Sequence, residues 1–141
     1  VTPTPGQTAV LKAVQDLQKS HPDGGGVCQV VGFAGVGKTY SLQLLDEAFD
    51  GIQVLTPTGK AAVRCREFGL EAQTIHSFLY KAEEDEKTGE VRFVLKMAGD
   101  VACVNSGFLV VDEASMVTQD LYRDLSSFCR RMGLNLVLVG D

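Results

Sequence analysis

The chain of 141 residues carries little that would commit it to a membrane, a metal or an oxidising compartment. No apolar run approaches the roughly 18 residues that a spanning helix needs, and no charged-then-apolar leader opens the sequence. The four cysteines, Cys28, Cys65, Cys103 and Cys129, form no C-x-x-C pair and have no histidine at ligand spacing, which argues against a zinc site. Three of them sit in apolar segments, where a thiol packs as a small hydrophobe. Positive charge is also in deficit: 13 Lys and Arg against 18 Asp and Glu give a formal charge of −5. The whole surface therefore offers no attraction to a polyanion, and any contact with nucleic acid has to be local. There is no internal repeat and no long low-complexity tract. These absences point to a soluble protein of a reducing compartment, without a membrane partner.

What is present is enough for one core. A 45% apolar content over this length suits a single α/β domain spanning 1–141. The sequence opens at Val1 without a methionine and closes at Asp141 directly after an apolar run, so a fragment of a longer chain is expected.

Gly32-Phe33-Ala34-Gly35-Val36-Gly37-Lys38-Thr39 follows the apolar run from Val27 to Val31 and precedes leucines at helical spacing. It reads as strand, glycine loop, helix. Gly32, Gly35 and Gly37 allow a tight turn that aims main-chain N–H groups inward as a nest for phosphate oxygens, and the helix adds its positive N-terminus. Lys38 then reaches the terminal phosphates and the Thr39 hydroxyl is placed to ligate Mg²⁺. This is a Walker A loop. It fixes the ligand class and not the work done.

Upstream, Thr4-Pro5-Gly6-Gln7 fits a capping box for a helix that carries Val10, Leu11, Val14 and Leu17 and ends near Ser20-His21-Pro22. Downstream, Leu42, Leu45, Ala48 and Phe49 are expected to line one helical face, with Asp50-Gly51 closing it before a strand from Ile52 to Leu55. Thr56-Pro57-Thr58-Gly59 follows as a turn at that strand's carboxyl end, the end where open parallel sheets bind ligands. Lys60 and Arg64, four apart on the next helix, share a face that would grip two phosphates or else be plainly solvated. Arg66 points elsewhere. Thr74 is the N-cap of a short helix bearing His76 and Ser77. Residues 81 to 106 break the rhythm with an acidic run, a turn at Lys87-Thr88-Gly89 and a period-two segment from Val91 to Lys96, which reads as an inserted β-hairpin.

Phe108 to Val111 is a buried strand ending in Asp112-Glu113. Asp112 suits the Mg²⁺ shell opposite Thr39, and Glu113 is placed to orient and deprotonate an attacking water. Thr118 caps a helix with Leu121, Leu125, Phe128 and Met132, ended by Gly133 after Arg130 and Arg131. A last strand, Leu134 to Val139, delivers Gly140-Asp141 to the same edge, a position suited to sensing phosphate.

Taken together, the Walker A loop, Thr-Pro-Thr-Gly-Lys-Ala-Ala at 56 to 62, Thr-Ile-His-Ser at 74 to 77, Val-Val-Asp-Glu-Ala-Ser-Met at 110 to 116 and Val-Gly-Asp at 139 to 141 resemble helicase motifs I, Ia, Ib, II and III. Their order is similar to that of superfamily 1 DNA helicases of the RecD and phage Dda type, over Gln7 to Asp141. The resemblance implies a first RecA-like ATPase domain (domain 1A), with ATP and Mg²⁺ bound between it and a second RecA-like domain of the same parent chain. It implies single-stranded or forked DNA as partner, 5′ to 3′ movement, and the cytoplasm of a bacterium or a phage-infected host. Under it Gln7 reads the adenine, and Gly32, Gly35, Val36, Gly37, Lys38, Thr39, Tyr40 and Asp141 belong to the nucleotide site. Tyr40 stands where the family more often has a small or hydroxylic residue, and its ring either approaches the adenosine or packs. Lys38, Asp112 and Glu113 are the catalytic set, with Thr39 and Asp112 on the metal. Thr58, Lys60, Arg64, His76 and Ser77 are assigned to the DNA strand, and the hairpin at 81–106 resembles the small 1B-like pin. Motifs IV to VI, with the arginine finger, lie outside the sequence, so this chain alone is expected to bind nucleotide and hydrolyse it poorly. A P-loop kinase or GTPase is the rival enzyme, although no Asn-Lys-x-Asp motif is present. A nucleotide-gated nucleic-acid-binding module without unwinding is the other alternative.

Overall fold

The computed structural model describes residues 5–30, 36–101 and 104–140, with the backbone alone at positions 5, 7 and 36. Helix α1 (Pro5–Ser20) leads into strand β1 (Val27–Val30), and helix α2 (Val36–Ala48) follows the Walker loop. Strand β2 (Gln53–Thr56), helix α3 (Gly59–Glu67), strand β3 (Glu71–Thr74) and the short helix α4 (Ile75–Leu79) come next. A hairpin of β4 (Tyr80–Glu84) and β5 (Val91–Leu95) then interrupts the alternation before β6 (Phe108–Val111), α5 (Gln119–Met132) and β7 (Asn135–Val139).

The main sheet has five strands in the order β1-β7-β6-β2-β3, every pair parallel. The inner strands β7, β6 and β2 are covered on both faces, so they are mostly apolar rather than alternating, and β6 is fully buried along its length, whereas the edge strands β1 and β3 are partly exposed. Its residues divide by parity. Phe108 and Val110 join Val14, Leu42, Leu45, Val54 and Val137 in a core under α1, α2 and α3. Leu109 and Val111 join Leu55, Ile75, Leu125, Phe128 and Leu136 in a second core under α4 and α5. Phe49 meets Phe108 edge to face at 4.9 Å between centroids. Ala48, expected on that face, is exposed instead, because the chain leaves the helix there and turns through Asp50 and Gly51, both at positive φ.

Helix ends follow local chemistry. Thr58, Thr74 and Thr118 each accept an N–H three residues on, and Gly133 ends α5 at φ 70. Thr4, which would cap α1, lies outside the described residues. The buried Asn135 ties three segments together: its carbonyl accepts from Gly26 N at 2.9 Å, while its amide donates to Gln18 Oε1 at 2.7 Å and to the His21 carbonyl at 3.0 Å.

Strands β4 and β5 pair antiparallel as a separate two-stranded sheet, from Tyr80 opposite Leu95 to Glu84 opposite Val91. Asp85 shapes the turn by accepting from the N–H groups of Lys87 and Thr88. At the base, Tyr80 donates to Asp124 of α5. Lys81 pairs with Asp100 at 2.9 Å, and the N–H of Met97 and then Lys81 hold the Asp100 carboxyl below its ordinary value. Val91, Phe93 and Met97 remain exposed.

Candidate nucleotide site

Apart from Gln7 in α1, the residues singled out for chemistry in the described chain lie on segments that leave the carboxyl ends of the parallel strands. The loop after β1 leads into α2, whose first turn holds Gly37, Lys38 and Thr39. Asp112 directly follows strand β6, and its N–H still donates to Leu55 O of β2 at 2.9 Å, so the sheet fixes its backbone. Strands β1 and β6 are not neighbours, because β7 runs between them. Lys38 spans that separation, with Nζ 3.1 Å from Asp112 Oδ1.

Asp112 is 5% exposed, and each of its oxygens has a partner. Oδ1 takes Lys38 and the N–H of Glu113 at 2.9 Å, and Oδ2 faces the Cys65 thiol at 3.7 Å. Burial first, and then the Asp112 charge, push the Cys65 thiol up to about 11, so it stays protonated and points its weak donor at the carboxylate. Glu113 follows in the left-handed region at φ 55, ψ 44. For a non-glycine residue that conformation costs about 1–2 kcal/mol, and such strain concentrates at functional sites. It leaves the Glu113 carboxylate against α3, where Arg64 Nη2 meets Oε1 at 3.1 Å.

These side chains border a cleft of about 540 Å³ between α2 and α3. Lys38, Thr39, Asp112 and Glu113 supply its polar end, and Tyr40, Leu42, Phe68 and Leu70 its apolar walls. Thr39 and Asp112 offer hard oxygen donors. Among the described residues no group of three or more His, Cys, Asp or Glu converges to hold a metal alone. That donor set fits Mg²⁺, which keeps waters and phosphate oxygens as its remaining ligands.

The other expected residues fall as follows. Gly37 accepts from Ser41 Oγ through its carbonyl, within α2. Gly32, Gly35 and Asp141 lie outside the described residues, and Gln7 and Val36 are described by backbone only, in the first turns of α1 and α2. Gly140, just before Asp141, donates to Val30 O at 3.1 Å, which sets the end of β7 beside the end of β1. Thr58, Lys60, His76 and Ser77 are brought together at the far side of the same rim, since Thr56 of β2 pairs with Thr74 of β3 and both segments start there. All four are exposed; Ser77 is held by Thr74 and Gln73, and His76 lies against Tyr80 at 5.3 Å between centroids. Arg64 does not stay with Lys60. Its guanidinium turns to the nucleotide cleft, and Arg66 is used structurally, donating to Ala72 O at 2.9 Å. The contacts of Arg64 and Cys65 were missed from sequence, because each joins residues nearly fifty positions apart.

A parallel sheet with helices on both faces, a helix after β1 with Lys-Thr in its first turn, and an Asp-Glu pair at the tip of a strand one removed from β1 define an α/β domain of the RecA-like P-loop class. More particularly, a family model described as an AAA domain matches residues 4–141, and the chain belongs to that family. The fold matches Pif1 from Bacteroides sp., solved in complex with ADP-AlF4, with a TM-score of 0.64 and 22% identity over 100% of this chain and 32% of that one. Pif1 helicase from Candida albicans gives a TM-score of 0.59 and 24% identity over 100% of this chain and 33% of that one. An uncharacterized protein of Acanthamoeba polyphaga mimivirus, R530, is 25% identical over 134 residues, 79% of this chain and 27% of its own length. The chain thus spans about a third of the solved relatives. Among the described residues no helix is long and apolar enough to cross a membrane.

Proposed function

We propose that this chain is the first, ATP-binding motor domain of a DNA helicase that translocates 5′ to 3′ along single strands. The observation that carries the reading is the meeting of Lys38 and Asp112 at 3.1 Å on the carboxyl rim, with Glu113 next in line. An ammonium at a helix N-terminus and a buried carboxylate at a strand tip are the two charges that Mg-ATP needs on opposite sides. Bound Mg²⁺ would neutralise charge developing on the terminal phosphate. Lys38 would contact the phosphates, Thr39 and Asp112 would hold the metal, and Glu113 would accept a proton from water. By the family resemblance, Gln7 would serve the base and Asp141 the outgoing phosphate.

The second half of the rim suits the strand. Thr58, Lys60, His76 and Ser77 present hydroxyls, one ammonium and one imidazole over the ends of β2 and β3, the kind of surface that positions a phosphodiester backbone without reading sequence. The exposed hairpin, with Val91 and Phe93 on β5, would serve as the pin at the fork. Motion along the strand needs a second RecA-like domain in the parent protein, so that closing on ATP moves one grip relative to the other. The Pif1 helicases, about a third of whose length shares this fold, support a helicase reading of the domain. The test is ATP-dependent strand separation by the full-length protein on duplexes with 5′ or 3′ overhangs. Unwinding only from the 5′ overhang is the expected result, and ATP hydrolysis without separation of either substrate would reject the assignment.

A further inference from the structure

The carboxyl rim of the sheet is divided. The nucleotide residues follow β1, β7 and β6, whereas the strand-facing residues follow β2 and β3, and helix α3 lies along the boundary. At about 100° per residue, Ala61 and Cys65 share the stripe of α3 that lines the cleft, while Lys60 lies about 100° to 140° away from them. Arg64 falls between, only about 40° from Lys60. It is the residue of this helix placed to reach either side. In the structure it is paired with Glu113, and its side chain is still 59% exposed.

We propose that Arg64 is a positioning residue that exchanges between Glu113 and a backbone phosphate of the bound strand, making hydrolysis depend on occupancy of the DNA groove. This rests on the motor reading above. While the guanidinium holds Oε1, Glu113 is drawn toward α3 and one of its two oxygens is kept from the attacking water. A phosphate arriving beside Lys60 offers the guanidinium a bidentate partner of equal or greater charge. Releasing Glu113 is easy because an ion pair this exposed is weak, the Arg64 side chain being 59% and the Glu113 side chain 23% exposed. The exchange moves no metal and breaks no covalent bond.

The experiment measures steady-state ATP hydrolysis by the full-length protein with and without a homopolymeric single strand, comparing wild type, Arg64→Gln and Arg64→Lys. Arg64→Gln is expected to raise the strand-free kcat by about 1.4- to 5-fold, the range that an exposed pair supports, with KM for ATP unchanged and with fold-stimulation by the strand reduced by the same factor or more. Arg64→Lys, which keeps the charge and loses the fork, should fall between the two. A strand-free kcat that drops in Arg64→Gln would make Arg64 an orienting group for Glu113 and overturn the proposal. Unchanged stimulation would overturn it as well. Wild type that is not stimulated by any strand would instead defeat the motor reading, so the two failures are distinguishable.

Discussion

The pair between Lys38 and Asp112 permits a quantitative test, since it is nearly buried and its partners are known. At 3.1 Å and an effective dielectric near 20, the direct attraction is about 5 kcal/mol before desolvation is counted. Removing one partner of a buried pair generally costs about 3–5 kcal/mol, because the other charge is stranded. Asp112 would keep the Glu113 N–H and the Cys65 thiol, and Lys38 is itself 19% exposed, so Lys38→Met is placed at the low end, about 3 kcal/mol. Asp112→Asn should cost about 2 kcal/mol, since the ammonium can turn to water, and the double variant about 3 kcal/mol, giving a coupling of about 2 kcal/mol. Urea unfolding of the chain without nucleotide reads these values. Repeating it with Mg-ATP at 100 times its dissociation constant should add about 2.7 kcal/mol to wild type and under about 1 kcal/mol to Lys38→Met. Strictly additive single changes, or an equal gain from nucleotide in both proteins, would refute the claim that this lysine serves the carboxylate and the phosphates in turn.

Four other outcomes are expected. Glu113→Gln in the full-length protein should bind Mg-ATP normally and hydrolyse it about 10²- to 10⁴-fold more slowly in a phosphate-release assay; normal turnover would show that another group takes the proton. Lys60→Ala should lower the salt slope of single-strand binding by about 0.7, measured by fluorescence anisotropy across salt concentrations, and an unchanged slope would remove Lys60 from the strand path. Asn135→Ala strands Gly26 N and the partners of its amide, so it should lose about 2–3 kcal/mol in urea unfolding; a loss below about 0.5 kcal/mol would mean that water replaces the network. Burial pushes Cys129 up to about 12 from its ordinary 9.0, so the folded state holds this proton more tightly than the unfolded chain does. That stabilisation is complete below about pH 9 and lost as pH rises toward 12, so the stability advantage of wild type over Cys129→Ala should shrink from pH 8 to 10.5. A constant difference would contradict it.

How much of this was legible in the sequence depends on how local each signal is. Helix α5 could be read to the residue, because a threonine cap, leucines at helical spacing and a glycine stop all lie within sixteen positions. Strand β6 declared itself through four apolar residues followed by two carboxylates, and the hairpin through its turn and its period of two. Strand β3 was invisible: Glu71-Ala72-Gln73-Thr74 has no apolar pattern, and it becomes a strand only because β2 supplies a paired edge. The strand order was not written locally either, and β7 enters between β6 and β1 by pairing with a strand, β1, that lies over a hundred residues earlier in sequence. For the same reason the spacing of Lys60 and Arg64 suggested a common target, while the fold gives Arg64 a partner from another strand.

The central claim is that Mg-ATP is gathered between Lys38 and Thr39 on one side and Asp112 and Glu113 on the other. A crystal structure of the chain with Mg²⁺ and a non-hydrolysable ATP analogue tests it most directly. The account predicts that Lys38 Nζ leaves Asp112 for a phosphate oxygen, with the metal between Thr39 and Asp112. Nucleotide bound elsewhere, or an intact Lys38–Asp112 pair beside a bound triphosphate, would contradict it.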